Sequence, residues 1–175
     1  MSKTKDDTPR FVTLHGTVNE SNISDVIKKL FEFDLKDSNE PIHLIIDTYG
    51  GSVHEMFALY DAINAIKSPV HTLGLGKIMS AGVLLLASGK RGTRRMGKHA
   101  TLMVHPSTSM SWGNVFQQEH ALNEHKRLFD ALIDSYVNET SLPREEVEAM
   151  MKREKNQYFT AEQAKKMGFV DEVIG

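Results

Sequence analysis

The chain has no cysteine, so disulfides, thiolate metal sites and thiol nucleophiles are all excluded. That composition suits a reducing compartment, and a cytoplasmic location is the expectation. Charge of one sign is also lacking. A formal net charge of −2 offers no electrostatic case for a nucleic acid or an anionic membrane as partner. The local basic cluster Lys90, Arg91, Arg94, Arg95 and Lys98 has no interleaved aromatics, and it reads as a solvated turn or a salt-bridge surface between subunits. Long apolar runs are missing too: the stretch around 83–87 is far too short to cross a bilayer. The first ten residues hold no apolar core of the kind a signal peptide needs. No segment rich in Pro, Gly or Ser marks a linker, and no internal repeat is visible. A single domain over 11–175 is therefore expected, preceded by a flexible arm over 1–10.

What is present is 175 residues, 40% of them hydrophobic and 25% charged, enough for one sizeable core. Residues 11–18 alternate and end near Gly16, as a strand does. Ile23, Val26, Ile27, Leu30 and Phe31 follow at helical spacing, predicting a helix over 21–35. The apolar run 42–47 predicts a strand buried on both faces, broken by Gly50-Gly51. A second helix over 53–67, a strand over 70–75 and a helix opening at Ser80 come next. Short strands at 94–96 and 100–105 precede a long helix over 114–138 and a shorter one over 143–153. Thr160-Ala161-Glu162-Gln163 is a capping box, and Gly168 closes that helix before a last strand over 169–174. Strands alternating with helices imply an α/β domain with a largely parallel sheet.

Most chemistry-bearing patterns fail on inspection. Gly74-Leu75-Gly76 meets Met79 where a dinucleotide fingerprint needs glycine, and Gly76-Lys77 lacks the rest of a phosphate loop. There are eight histidines but no His-Glu-x-x-His, and His120 and His125 are spaced badly for one helical face, so no metal site is expected. Ser80 is different. It stands at a strand-to-helix corner beside unpaired backbone N–H groups, where negative charge is favoured. A helix cap and an acyl-transfer nucleophile both fit that position. Gly50-Gly51 is either a tight turn or half of an oxyanion hole, with the Ala81 N–H as the other half. His105 ends its strand at Pro106; it is either an exposed turn residue or the general base for Ser80.

Three motifs carry a resemblance, in order: 45–53 (IIDTYGGSV), 79–82 (MSAG) and 102–106 (LMVHP), with a matching tail from Tyr158 to Asp171. Together they resemble the proteolytic subunit family of the Clp proteases over 11–174. The resemblance implies a spiral of ββα units, shared with crotonases, with a protruding handle helix over 114–138. It implies Ser80 as nucleophile, His105 as general base, and Gly51 and Ala81 as oxyanion-hole donors. The family's third triad position, an aspartate, falls on Asn156, whose carbonyl would orient His105. Spare carboxylates near it are Glu154 and Asp171. No cofactor is implied. The partners implied are polypeptide substrates and copies of the same chain in heptameric rings stacked as a tetradecamer. Other Clp subunits or a Clp ATPase are further partners, although the family's ATPase-contacting N-terminal segment is longer than the ten residues here. The rival expectations are a structural subunit of a mixed ring and a crotonase-type acyl-CoA enzyme.

Overall fold

A computed structural model describes residues 9–106 and 111–175, so most of the expected N-terminal arm lies outside the described residues. Arg10, at the arm's end, donates to the carbonyls of Asp37 and Glu40 at 2.7 Å and stacks its guanidinium over Phe33. The chain then alternates strand and helix: β1 (Phe11–Val18), α1 (Glu20–Lys36), β2 (Ile42–Gly51), α2 (Val53–Ala65), β3 (Val70–Met79) and α3 (Ala81–Ala87). The second half contains β4 (Arg95–Gly97), β5 (Thr101–Val104), α4 (Val115–Glu139), α5 (Arg144–Met151), β6 (Gln157–Thr160), α6 (Ala161–Lys166) and β7 (Glu172–Ile174). The class is α/β, as expected, and every strand pairing is parallel except that of β5 with β6.

Two boundaries differ from the sequence expectation for the same reason. Gly50-Gly51 does not break β2; both residues stay paired with β1, opposite Thr17 and Val18, after a register shift. Likewise β3 runs on to Met79 through Gly74 and Gly76. Glycine tolerates the positive φ of +88° at Gly50 and +63° at Gly76, so the strands bend without ending. The bend in β3 has a topological role. Its first half pairs with β4 at Leu73 and Gly74, and its second half pairs with β5 from Lys77 to Met79. Strand β6 is absent from the sequence expectation because only four residues form it, and β7 is shorter than the run 169–174.

The core lies between the sheet and its helices. Val12, Leu14, Leu44 and Ile46 of β1 and β2 share one buried cluster with Ile23, Leu30, Met56 and Leu59 of α1 and α2. Helix α3 is apolar all round and every residue of it is buried, as such a helix must be. The opposite sheet face stays open: Phe11, His15 and Tyr49 are exposed, and His43 and Ile45 are half-buried. Helix α4 opens on a capping box between Asn114 and Gln117 and is buried only through Leu132, Ile133, Ser135 and Tyr136 near its C-terminal end. No described helix is long and apolar enough to cross a membrane.

Candidate active site

Parallel pairing of β3 with β5 ends both strands at one level, with Met79 beside Met103. The next residue of β3 is Ser80, whose N–H donates to the Met103 carbonyl at 2.8 Å. The residue after β5 is His105. Adjacent strand ends therefore present both side chains to the same space, and the His105 Nε2 lies 2.8 Å from the Ser80 Oγ. Ser80 has φ 53° and ψ −120°, the one positive φ among the described non-glycine residues. Such a conformation costs roughly 1–3 kcal/mol and persists where the surroundings enforce it. Its side chain makes no cap hydrogen bond to α3. Between the two roles its position allows, helix cap and partner of a base, the geometry favours the second.

A cleft of about 80 Å³ opens at this pair and is lined by Gly51 and Ala81 as well. Its walls continue through Val53, Met56, Leu132 and Met151, so they are mainly apolar. The four residues Ser80, His105, Gly51 and Ala81 are thus brought together around one small cavity. Asn156 is placed by β6, which pairs antiparallel to β5 with Val104 opposite Gln157. The ladder ends there, and His105 and the exposed Asn156 are the residues just beyond its end. The Asn156 side-chain amide donates to the Tyr158 hydroxyl at 3.4 Å, and no hydrogen bond joins it to His105 among the described residues. Of the spare carboxylates, Asp171 is fully committed elsewhere. It grips Arg94 in a two-pronged pair at 2.6 and 2.9 Å and also accepts the N–H groups of Gly92 and Arg94. Glu154 is exposed.

Two further residues shape the site: Gly50, which the sequence marks only as part of a turn or half of an oxyanion hole, and Thr48, which it does not mark. A Cβ at Gly50 would lie 2.7 Å from the Met79 carbonyl oxygen and 3.0 Å from the Ala81 nitrogen, so this glycine lets β2 press against the Ser80 corner. Thr48, fully buried, donates its hydroxyl to the Gly16 carbonyl at 2.5 Å and accepts the Gly50 N–H at 3.0 Å. It anchors the bend that carries Gly50 and Gly51. A threonine inside an apolar strand gives no signal of that in sequence. Among the described residues no group of three or more His, Cys, Asp or Glu side chains converges as metal ligands would.

A sequence profile described as Clp protease matches residues 5–175. The chain belongs to the Clp protease family. The Clp match extends to individual relatives. An ATP-dependent Clp protease proteolytic subunit of Deinococcus radiodurans is 32% identical over 160 residues, covering 91% of this chain and 78% of the relative. Proteolytic subunit 1 of Chlamydia pneumoniae is 35% identical over 170 residues, covering 94% and 86%. A proteolytic subunit of Borreliella afzelii is 30% identical over 169 residues, covering 94% and 83%. The Clp family relationship thus spans the serine–histidine corner, the bent glycines and the tail that builds β6 and α6.

Proposed function

We propose that this Clp family member is a serine endopeptidase subunit that assembles into rings and hydrolyses unfolded polypeptides or short peptides inside the chamber they enclose. The observation that carries the reading is the 2.8 Å approach of His105 Nε2 to Ser80 Oγ at a strained corner. With His105 protonated on Nδ1, Nε2 accepts the Ser80 O–H. As Oγ attacks a peptide carbonyl, that proton passes to Nε2 and the carbonyl oxygen becomes an oxyanion. The N–H of Ala81 at the start of α3 and the N–H of Gly51 stabilise it. Collapse breaks the C–N bond, His105 protonates the leaving amine, and water attacks the acyl-Ser80 ester by the same route in reverse. Asn156, just beyond the end of the β5–β6 ladder as His105 is, is the orienting residue in this reading; its carbonyl oxygen would accept the Nδ1–H. It supplies no charge to the imidazolium, so turnover is expected to be slow.

Ring assembly is supported by surfaces a lone chain leaves bare. A largely parallel sheet normally has both faces covered, whereas here Phe11, Tyr49 and Leu75 remain 55%, 64% and 38% exposed on one. The N-terminal half of α4 stands clear of the body with Val115 and Phe116 exposed, and Trp112 is exposed just before the helix. In our reading the open sheet face packs against neighbours in a heptameric ring, and α4 interlocks two rings as a tetradecamer. The relatives' name includes ATP dependence. Hydrolysis by Ser80 needs none, so a Clp ATPase partner would supply it, and the chamber would act in the cytoplasm.

A fluorophosphonate probe tests the reading directly. Wild-type protein should be labelled and cut a fluorogenic peptide, and Ser80→Ala should lose both. An assembled wild type that resists the probe overturns the peptidase reading.

A further inference from the structure

Beyond Ser80 and His105, the side chains lining the cleft are apolar except for one, Tyr136. Tyr136, on the last turns of α4, lines that cleft and is only 2% exposed, whereas Ser80 and His105 are half-buried at its mouth. Its ring packs edge-on against Phe169, with centroids 5.9 Å apart. Its hydroxyl has no hydrogen-bond partner among the described residues. Nor is the hydroxyl sealed off: the side-chain nitrogen or oxygen that is both sealed and unpartnered is Arg10 Nε, far from this site. An unpartnered hydroxyl that still borders open space, on a residue this buried, faces the cleft it lines. Buried polar groups are almost always paired, so an unpaired donor at the end of a substrate pocket calls for an explanation. Burial pushes the phenol well above its ordinary range, so it is an O–H donor at any pH near neutral.

We propose that Tyr136 is a specificity-determining residue: its hydroxyl donates to the side chain of the residue preceding the cleaved bond. The substrate class this selects has an uncharged, medium-length side chain there with an acceptor oxygen at its tip, as in glutamine. The inference rests on the serine peptidase reading. An apolar side chain of equal size, such as methionine, fills the same volume but offers the hydroxyl no acceptor. A charged side chain meets no counter-ion in the apolar lining. One hydrogen bond at such a site shifts the preference by about tenfold.

The test uses two fluorogenic peptides that differ only in glutamine or methionine before the scissile bond, with the assembled wild type and Tyr136→Phe. The expected result is a glutamine-to-methionine ratio of kcat/KM that falls about tenfold in Tyr136→Phe. A ratio that is the same in both proteins overturns the proposal. Because Tyr136→Phe alters a buried position, its assembly is checked by mass photometry. An independent arm needs no variant: peptide chloromethyl ketones with glutamine or methionine at that position are used to inactivate wild type. Faster inactivation with glutamine supports the role, and equal or slower inactivation overturns it. Cleavage or inactivation without a glutamine preference defeats only this inference, whereas a wild type inert to the fluorophosphonate probe and both peptides defeats the peptidase reading beneath it.

Discussion

Gly50 is the residue on which the Ser80 corner leans most closely. Adding a methyl group there forces it to within 2.7 Å of the Met79 carbonyl and the Ser80 Cβ, at a φ of +88° that L-residues avoid. The backbone conformation alone costs about 1–2 kcal/mol with a side chain. Gly50→Ala should therefore lower the thermal midpoint and suppress fluorophosphonate labelling together; a variant that labels at the wild-type rate would show that the corner does not depend on this contact. Asn156 poses a second question at the same scale. In a chymotrypsin-type triad, asparagine for aspartate costs about 10⁴ in turnover. Asn156→Asp should raise peptide turnover toward that limit, and Asn156→Ala should lower it. Equal turnover in Asn156→Ala and wild type would remove Asn156 from the site. Ser80, His105, Gly51 and Ala81 were legible because each sits at the end of a recognisable strand or helix. Thr48 and Tyr136 were not, and Gly50 only as part of the Gly50-Gly51 pair, because what they do depends on atoms distant in sequence.

Strand β3 shows how one element sets the site. The pattern Gly74-Leu75-Gly76 reads in sequence as punctuation and was weighed there as a nucleotide loop. In the fold it is the bend by which β3 leaves β4 and joins β5, and that exchange delivers Ser80 beside His105. Alternation and turn residues located most elements, but they placed strand ends at the glycines, since a glycine inside a strand looks like one that stops it. Elements of the tail are tied down by Arg94 and Asp171. Partial burial pushes the Asp171 carboxyl up, but its hydrogen bonds from Arg94 and the charge of that guanidinium outweigh the effect and hold it below the usual aspartate range. Arg94, buried to 3% exposure, also donates to the carbonyls of Ala87 and Glu139 and so links α3, α4 and β7. Asp171→Asn leaves that guanidinium short of its counter-charge and should destabilise the chain by about 3 kcal/mol at pH 7. A depressed carboxylate contributes fully above its unfolded pKa of about 3.9 and loses that contribution as pH falls through the lower folded value. Urea melts of wild type and variant should converge below about pH 4; a gap that stays constant there would mean that the ion pair is not its source.

At the scale of the whole molecule, α4 is the conspicuous projection. Its 25 residues span about 37 Å, and its first half touches little of the body. Because Val115 and Phe116 are 77% and 74% exposed, replacing both with serine leaves the chain's own packing intact. In the proposed tetradecamer the double variant should halve the particle mass seen by mass photometry while single rings persist. An unchanged mass would place the ring-to-ring contact elsewhere. Sequence alone determined the class of fold, from periodicity and turn chemistry, and carried in short local motifs the family resemblance that points to Ser80 and His105. Tertiary structure decided that Ser80 bonds His105 instead of capping α3, that Asp171 belongs to Arg94, and that Tyr136 ends in the cleft. Each of those outcomes depends on which strand ends lie side by side, and local pattern does not encode that.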